Sequence, residues 1–418
     1  MDLLRARDDT LAPFIEFFID HVECPAISPF DPVNWSLMKH RVSELSHIHR
    51  EIRLALVALS SLCKTIYYSL PDHKALNAYC AAKDAASTYL ASVTNQPSIV
   101  LVVLFLLSHF ELLYSGDCVP FMENQETIIT SETKKWISDQ TQHSELDSRI
   151  LVWMKIIFCI SLRGGGNSVF SNEIHQLIPY HAVPATNIQT SELRTTDLET
   201  QLYQLLSAPV FDFYFRLQSI SGEIAMMTHY HRSRTTGPDQ VEISQQIISV
   251  KEQLHTLWEN RSAVQRQTPE KIRSLFSPEV STLLIAMIGI CHAAYHTEFV
   301  ELDRVRGDPV AKWTDSDVAV NAIRDIVDGD WETQDRHNDG SLNPAYLRPL
   351  FLCAIECMDS ETSRWAVEKL RRIKHPVFRG EFFASFAEAL AAAQRSKDRR
   401  VTSRYFCLWF FGVPPPSM

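Results

Sequence analysis

The stretch IRLALVALSSLCKTIYYSL, residues 52–70, places its large apolar side chains at alternating spacings of four and three. The residues in this register are Ile52, Leu56, Leu59, Cys63, Ile66 and Leu70. A repeat of about 3.6 residues is the period of an α-helix, whereas a half-buried strand alternates every two residues. The stretch therefore predicts a helix that buries one face.

Apolar segments elsewhere in the chain predict further helices, at residues 79–93, 99–113, 146–162, 241–258, 279–300, 318–327 and 365–373. Three more signals mark helix starts, because a short polar residue precedes a proline at Thr268-Pro269, Ser277-Pro278 and Asn343-Pro344. The polar side chain caps the first turn, where the missing N–H of proline costs nothing. No strand pair or β-hairpin signal is found, so the predicted fold class is all-α.

The composition sets limits on the class of protein. At 418 residues the chain exceeds the size at which a single core usually stops growing, so two helical lobes are expected. Only 12 residues are glycine, which disfavours a turn-dense β architecture. The net charge of −10 opposes a broad electrostatic grip on DNA. Nine scattered cysteines fit buried thiols in a reducing compartment.

Neither secretion nor membrane contact is expected. The first residues, MDLLRARDD, are not followed by a signal-like apolar core. The most apolar run, residues 99–107, is far shorter than the ~20 residues that a membrane helix needs. We interpret this run as a helix of the protein core.

The domain organisation is predicted from proline and polar segments. Residues 1–40, with prolines at positions 13, 25, 29 and 32, predict an extended lead-in, and residues 41–410 predict one all-helical domain. The polar segment 181–196 lacks periodicity, so a boundary between lobes is expected near 181–200. A second break is predicted at 233–239, SRTTGPD, from its Gly-Pro pair.

Two thiols and a carboxylate in LRPLFLCAIECMDSETSRWAVEKL, residues 347–370, are the first candidate site. Cys353 and Cys357 share a helix face, but they lie among core residues and not in a CxxC loop, so we interpret them as packed thiols. We expect Glu356 either to reach the helix edge or to pair with an arginine such as Arg348. The same interpretation has Asp359 with Ser360 break the chain and cap the helix that contains Trp365. It has four residues fill a core, namely Leu350, Phe351, Ala354 and Cys357.

Histidine and glycine motifs are the next candidates. His292 and His296 share a helix face, as in H-E-x-x-H zinc sites, but the glutamate and a third ligand are missing. We interpret this pair as structural. The run Gly164-Gly165-Gly166 lacks the strand and the Gly-Lys-Ser/Thr end of a phosphate loop, so it predicts the turn that ends a helix.

Three charged segments complete the candidates. The acidic segment 328–341 is interpreted as a loop that does not bind calcium, because His337 is a poor ligand and Tyr346 stands where a bidentate glutamate belongs. THYHRSR (228–234) and RSKDRR (395–400) are interpreted as solvated edges. We therefore expect no catalytic, cofactor-binding or metal-ligating residue, no cofactor and no enzyme activity.

Five sequence blocks, in this order, resemble a known family. They are EIRLALVALSSLCKTIY, YCAAKDAASTYLAS, VLVVLFLLSHFELLYSGD, VWMKIIFCISLRGGGNS and RPLFLCAIECMDSETSRWAVEKL. Together they are similar to the fungal-specific regulatory region, or middle homology region, of zinc-cluster transcription factors, over residues 41–409. The resemblance implies an all-α domain in the nucleus that regulates transcription, often of secondary-metabolite gene clusters, and that forms homodimers or binds other transcription factors.

The chain departs from this family in one respect. The family reads DNA through a cysteine cluster that holds two zinc ions, but here no two cysteines are closer than Cys353 and Cys357. The expected function is therefore regulation of a fungal secondary-metabolite cluster through partners, with only indirect DNA contact. In length and in lacking the zinc cluster, the chain is similar to stand-alone regulators of trichothecene mycotoxin clusters.

Two alternatives stay open at this point. The helical fold resembled here can be recruited as a biosynthetic enzyme or an intermediate-binding protein, with a pocket lined by residues such as His229, His231 or Glu111. A zinc cluster encoded upstream of the given sequence is the other alternative. Cytoplasmic location is the alternative to the nucleus.

Overall fold

The structure is a computed structural model that describes residues 11–92, 96–114, 144–164, 198–229, 237–306, 314–334, 340–357 and 359–416. Every regular element in these ranges is a helix, so the predicted all-α class is confirmed. The α-helices are α1 (Ala12–His21), α2 (Pro32–Ile48), α3 (Arg50–Tyr68), α4 (His73–Leu90), α5 (Pro97–Tyr114), α6 (Glu145–Gly164), α7 (Leu198–His229), α8 (Gly237–Glu259), α9 (Pro269–Leu275), α10 (Pro278–Arg306), α11 (Thr314–Gln334), α12 (Leu347–Glu356), α13 (Ser360–Leu370), α14 (Gly380–Lys397) and α15 (Ser403–Phe411).

The chain divides into two compact units, Met1–Thr196 and Asp197–Pro416. The first contains helices α1 to α6, and the second contains α7 to α15. The division falls inside the range 181–200 in which the sequence predicts a boundary. The polar segment 181–196 itself lies outside the described residues.

The first unit is organised around α3, which packs against α1, α2, α4 and α5. An aromatic cluster fills its core, because the rings of Trp35, Phe105 and Trp153 lie within about 6 Å of one another, with centroid distances of 5.8, 5.9 and 6.2 Å. The indole N–H of Trp35 donates to the carbonyl of Val22 at 3.0 Å. A buried indole is thereby satisfied, as the interior requires.

Helix α5 is buried on all sides, from Ile99 to Leu113. Its predicted role as a core helix is confirmed. Two helices among the described residues, α5 and α10, are long and apolar enough to cross a membrane, and most of each is buried inside the protein. Core helices can be as long and as apolar as membrane-spanning helices, and burial of this kind is typical of them.

The second unit is organised around α10, which packs against α7, α11 and α12. Helices α12, α13 and α14 form a compact group beside it, in which each helix contacts the other two. Phe351 on α12 meets Phe386 on α14 at a ring distance of 5.0 Å. This group holds the first candidate site against the C-terminal half of α10.

The three predicted helix starts lie where the sequence places them, but only two are capped by the polar side chain. Thr268 accepts a hydrogen bond from the backbone N–H of Lys271 at 3.3 Å, and Asn343 accepts one from Ala345 at 2.9 Å. The proline after Asn343 opens a 3₁₀ turn, Pro344–Tyr346, that leads directly into α12. The hydroxyl of Ser277 is buried without a hydrogen-bond partner, so it does not cap α10.

The extended lead-in predicted for residues 1–40 is wrong over most of its described part, since α1 and the first half of α2 lie there. Pro13 and Pro32 stand in the first turns of these helices, where proline is tolerated. Of the break predicted at 233–239, residues 233–236 lie outside the described residues, and Gly237 and Pro238 open α8. The first half of the acidic segment 328–341 is also helical, as α11 runs to Gln334.

Candidate functional site

Glu356 lies at the centre of a buried ion network in the second unit. Its side chain is 2% exposed and is bonded to two guanidinium groups. Arg304, at the end of α10, donates to one carboxylate oxygen, and Nε of Arg400 lies 2.7 Å from the other. Pairing with an arginine is therefore confirmed, but the partner is not Arg348.

Arg348 belongs to the neighbouring half of the same network. Its two terminal nitrogens donate to the two oxygens of Glu298 at 2.6 and 3.1 Å, a bidentate arrangement. Glu301 lies 3.8 Å from the same guanidinium. The Glu298 side chain has no exposed surface, so its charge depends on this arginine.

The pKa values show how burial and opposite charge compete in the network. Burial raises the pKa of the Glu301 carboxyl above its ordinary value, in spite of the nearby Arg348 and Arg304. Burial alone would lower the pKa of Arg304, but Glu356 and Glu301 raise it above its ordinary value. Arg304 therefore stays charged and needs its carboxylate partners.

A neutral side chain ties the network to the segment after α14. Gln394 is buried; its amide nitrogen donates to the carbonyl of Ile355 at 2.5 Å, and its amide oxygen accepts from the backbone N–H of Val401 at 2.9 Å. Arg400 directly precedes Val401, and its side chain turns inward to bind Glu356. The prediction that 395–400 is a solvated edge is thus wrong for Arg400, while Arg395, Lys397 and Arg399 are exposed.

The network has a structural role in the second unit. Three guanidinium groups meet three carboxylates, from Arg304, Arg348, Arg400, Glu298, Glu301 and Glu356. Each carboxylate has an arginine partner, which leaves no unpaired charge of these six for a substrate. What the arrangement does is join α10, α12 and the segment after α14.

The two thiols beside Glu356 differ in environment. Cys353 is completely buried, and burial raises the pKa of its thiol well above the ordinary value, as expected of a packed cysteine. Cys357 is only partly buried, so its prediction as a core residue is wrong. It follows the last residue of α12, where the chain leaves the core. Asp359 accepts from the backbone N–H of Thr362 at 2.8 Å and caps α13, as predicted.

His292 and His296 lie on one face of α10, in a cluster around Trp258. Tyr295 stacks on the Trp258 ring at 4.2 Å, and the Arg261 guanidinium lies 3.3 Å from the ring centroid. At such short distances the two groups occupy opposite faces of the indole. The rings of His292 and His296 lie beside the indole at centroid distances of 4.8 and 5.7 Å, with their planes tilted by 58° and 64° to it.

The surroundings keep both histidines neutral. Burial and the charge of Arg261 lower the pKa of His292 and of His296 to about 4. Nε2 of His292 is buried without a hydrogen-bond partner. A cationic guanidinium beside the pair disfavours a metal ion, and both faces of Trp258 are already covered. These contacts support the interpretation of the pair as structural.

The residues named for a recruited pocket are not brought together in one described unit. Glu111 is buried in the first unit and accepts a hydrogen bond from the hydroxyl of Tyr79. His229 ends α7 in the second unit, and His231 lies outside the described residues. Gly164 ends α6, while Gly165, Gly166, His337 and the rest of 335–339 also lie outside them. Among the described residues, no group of three or more His, Cys, Asp or Glu is placed to hold a metal ion.

An aromatic surface on α15 is the feature that the sequence analysis did not single out. Five large apolar side chains of this short helix and the residues after it are exposed, namely Tyr405, Leu408, Trp409, Phe410 and Val413. We call this set the C-terminal aromatic face. The signal was present in the sequence RYFCLWFF, whose apolar residues occupy more of the helix than one buried face needs.

Comparisons with known proteins do not assign the chain to a family. No protein-family model matches the chain, and no curated protein or solved structure gives a significant match. The class that fold and sites define is an all-helical protein of two units, with structural ion pairs in its second unit and an exposed aromatic helix near its C-terminal end.

Proposed function

We propose that this protein is a regulator of transcription in a fungal secondary-metabolite pathway and that it works through partner proteins. The observation that carries the proposal is the ordered series of sequence blocks that resemble the fungal regulatory region. These blocks fall on α3, α4, α5, α6 and the pair α12–α13. An all-helical chain supports the proposal, since the resemblance implies this class.

The charge supports a role for partners. A net charge of −10 opposes sequence-independent attraction to phosphate, and the chain carries no C-x-x-C pair for a zinc cluster. In the second unit, internal carboxylates form ion pairs with Arg304, Arg348 and Arg400. Sequence selection at promoters is then supplied by a protein that reads base edges.

Transcript profiling of a strain in which the gene is deleted tests the regulatory part. We expect the transcripts of one biosynthetic gene cluster to fall together and to recover when the gene is restored. An unchanged profile under conditions that induce the pathway would overturn the proposal. A fluorescent fusion, expected in the nucleus, tests the location separately.

Binding of the purified chain to promoter DNA tests the partner-dependent part. We expect only weak binding that disappears between 50 and 200 mM salt, a range over which phosphate contacts lose affinity steeply. Tight, sequence-selective binding by the chain alone would contradict this part and leave the regulatory part standing.

A further inference from the structure

The C-terminal aromatic face differs from the other exposed apolar residues by its density. Elsewhere in the described residues, large exposed apolar side chains are scattered over several helices, whereas five of them lie between Tyr405 and Val413. Trp409 is 80% exposed. Tyr405, Leu408 and Trp409 have i, i+3 and i+4 spacing and therefore share one side of α15, and exposed apolar surface of this kind usually marks a site of interaction.

The opposite side of α15 is firmly packed. Phe406 and Cys407 are buried, and Phe406 stacks with Phe386 of α14 at 6.4 Å. Phe411 packs against Phe382 and Phe386 at 5.3 and 5.9 Å. Because α15 is anchored by this buried side, the exposed face is presented on a fixed helix and is not a frayed end.

The charge beside the aromatic face is opposite to that of the whole protein. Three basic side chains are exposed in the segment before the face, namely Arg395, Lys397 and Arg399. Asp398 is the one acidic residue between positions 395 and 413. Arg400 is neutralised by Glu356 and does not belong to this group. A basic group next to an apolar stripe on a protein of net charge −10 is complementary to an acidic and apolar ligand.

We propose that the C-terminal aromatic face docks an acidic amphipathic helix of a partner protein. The apolar side of the partner helix covers Trp409 and its neighbours. The carboxylates of the partner helix bind the basic group that precedes α15. This inference names the partner chemistry of the proposed function and rests on that function for its biological meaning. Binding itself is measured without reference to transcription.

The dimensions and residue types favour a helix as the occupant. Helix α15 has nine residues, and at about 1.5 Å per residue it offers a stripe roughly 14 Å long, which matches two to three turns of a partner helix. Trp, Tyr and Arg are the residue types that contribute most to binding energy at protein interfaces. Arginine also binds carboxylates through two parallel hydrogen bonds.

Two other occupants fit less well. An anionic membrane presents negative charge to the whole protein, which carries −10, whereas a single helix meets only the basic group within a Debye length of about 8 Å. A second copy related by a two-fold axis would bring the basic groups of both chains together around the same face. Charge therefore favours an acidic partner.

The test is fluorescence anisotropy of a labelled synthetic peptide titrated with the full chain at 150 mM salt. The acidic peptide has 18 residues, with leucine and phenylalanine at i, i+3, i+4 and i+7 spacing and glutamate elsewhere. The control peptide keeps every apolar residue and replaces glutamate with lysine. We expect saturable binding of the acidic peptide and at least tenfold weaker binding of the basic one.

Variants locate the binding surface. Trp409→Ala is expected to weaken binding about 30-fold, the size of an interface hot spot, without affecting the fold, because the side chain is mostly exposed. Lys397→Glu with Arg399→Glu is expected to weaken it further and to reduce its salt dependence. Ile48→Ala, a matched change at an exposed apolar residue of the first unit, is expected to leave binding unchanged.

Three results would overturn the inference. Equal binding of both peptides would show unspecific apolar attachment. Binding to vesicles with 30% phosphatidylserine that Trp409→Ala abolishes, without peptide binding, would assign the face to a membrane. A dimer in sedimentation that Trp409→Ala dissociates, again without peptide binding, would assign it to a second copy. None of these outcomes bears on the transcript profile of the deletion strain, so the two proposals fail separately.

Discussion

Replacing Glu356 with alanine is the sharpest test of the ion network. The change removes the carboxylate of a side chain that is 2% exposed and leaves Arg304 and Arg400 without it, in side chains that are 14% and 10% exposed. Removing one partner of a buried pair costs about 3 to 5 kcal/mol, because the remaining charge cannot recover its hydration. Arg304 keeps Glu301 as a neighbour, which limits the loss to this range.

The assay is urea unfolding, followed by tryptophan fluorescence and by far-ultraviolet circular dichroism. We expect Glu356→Ala to lower the free energy of unfolding of the second unit by about 3 to 5 kcal/mol. Glu361→Ala is the matched control, because this glutamate is 78% exposed in its pair with Arg324. Exposed pairs of this kind contribute about 1 kcal/mol or less.

A second variant separates lost charge pairing from lost packing. The triple change Glu356→Leu, Arg304→Met and Arg400→Met removes all three charges and keeps apolar volume, so we expect it to recover most of the stability that Glu356→Ala loses. A loss below about 1 kcal/mol for Glu356→Ala would refute the reasoning, as would a triple variant no more stable than the single one.

The remaining predictions concern pH, backbone space and thiols. His292 and His296 have a pKa near 4 when folded and an ordinary value of 6.5, so their contribution to stability is complete above pH 6.5 and is lost as the pH falls toward 4. Free energies of unfolding from urea titrations at pH 7 and pH 5 should therefore differ by roughly 2 kcal/mol per histidine more in the native chain than in the His292→Gln, His296→Gln double variant, and an equal difference in both would contradict the mechanism. In thermal melts, Gly380→Ala is expected to destabilise the protein by more than about 2 kcal/mol, because a Cβ there would lie 2.7 Å from the carbonyl oxygen of Leu370. Gly329→Ala should be neutral or stabilising in the same melts, because no atom lies within 4 Å of the new Cβ. A thiol reagent at neutral pH should label the exposed Cys80 quickly and the buried cysteines only on unfolding, as read by peptide mass spectrometry. The buried cysteines are Cys24, Cys63, Cys159, Cys291, Cys353 and Cys407.

Helix positions were largely predictable because helical signals are local. The stripe at 52–70 became α3, and the Thr268-Pro269 and Asn343-Pro344 pairs opened helices with the expected side-chain caps. The sequence analysis missed α7, the longest helix described, because Pro209 inside it is a residue that normally argues against a helix. Prolines near the N-terminus misled in the same direction, since Pro13 and Pro32 stand in the first turns of α1 and α2, where proline is tolerated.

The site was predictable only in part. The pattern around Glu356 showed that a charged residue enters an apolar helix and needs a cation, yet Arg348, the arginine named from the sequence, proved to belong to Glu298. The true partners are 52 and 44 residues away from Glu356. The same holds for Trp258, which meets His292 and His296 from a different helix.

The sequence by itself determined the all-α class, the positions of ten of the fifteen described α-helices and the burial of α5, because periodicity, capping and composition act within a few turns of chain. The tertiary structure alone decided that Arg304 and Arg400 neutralise Glu356, that Cys357 leaves the core and that one face of α15 stays uncovered. Charge pairing and exposure depend on which distant segments pack together, and the spacing of residues along the chain does not show which segments those are.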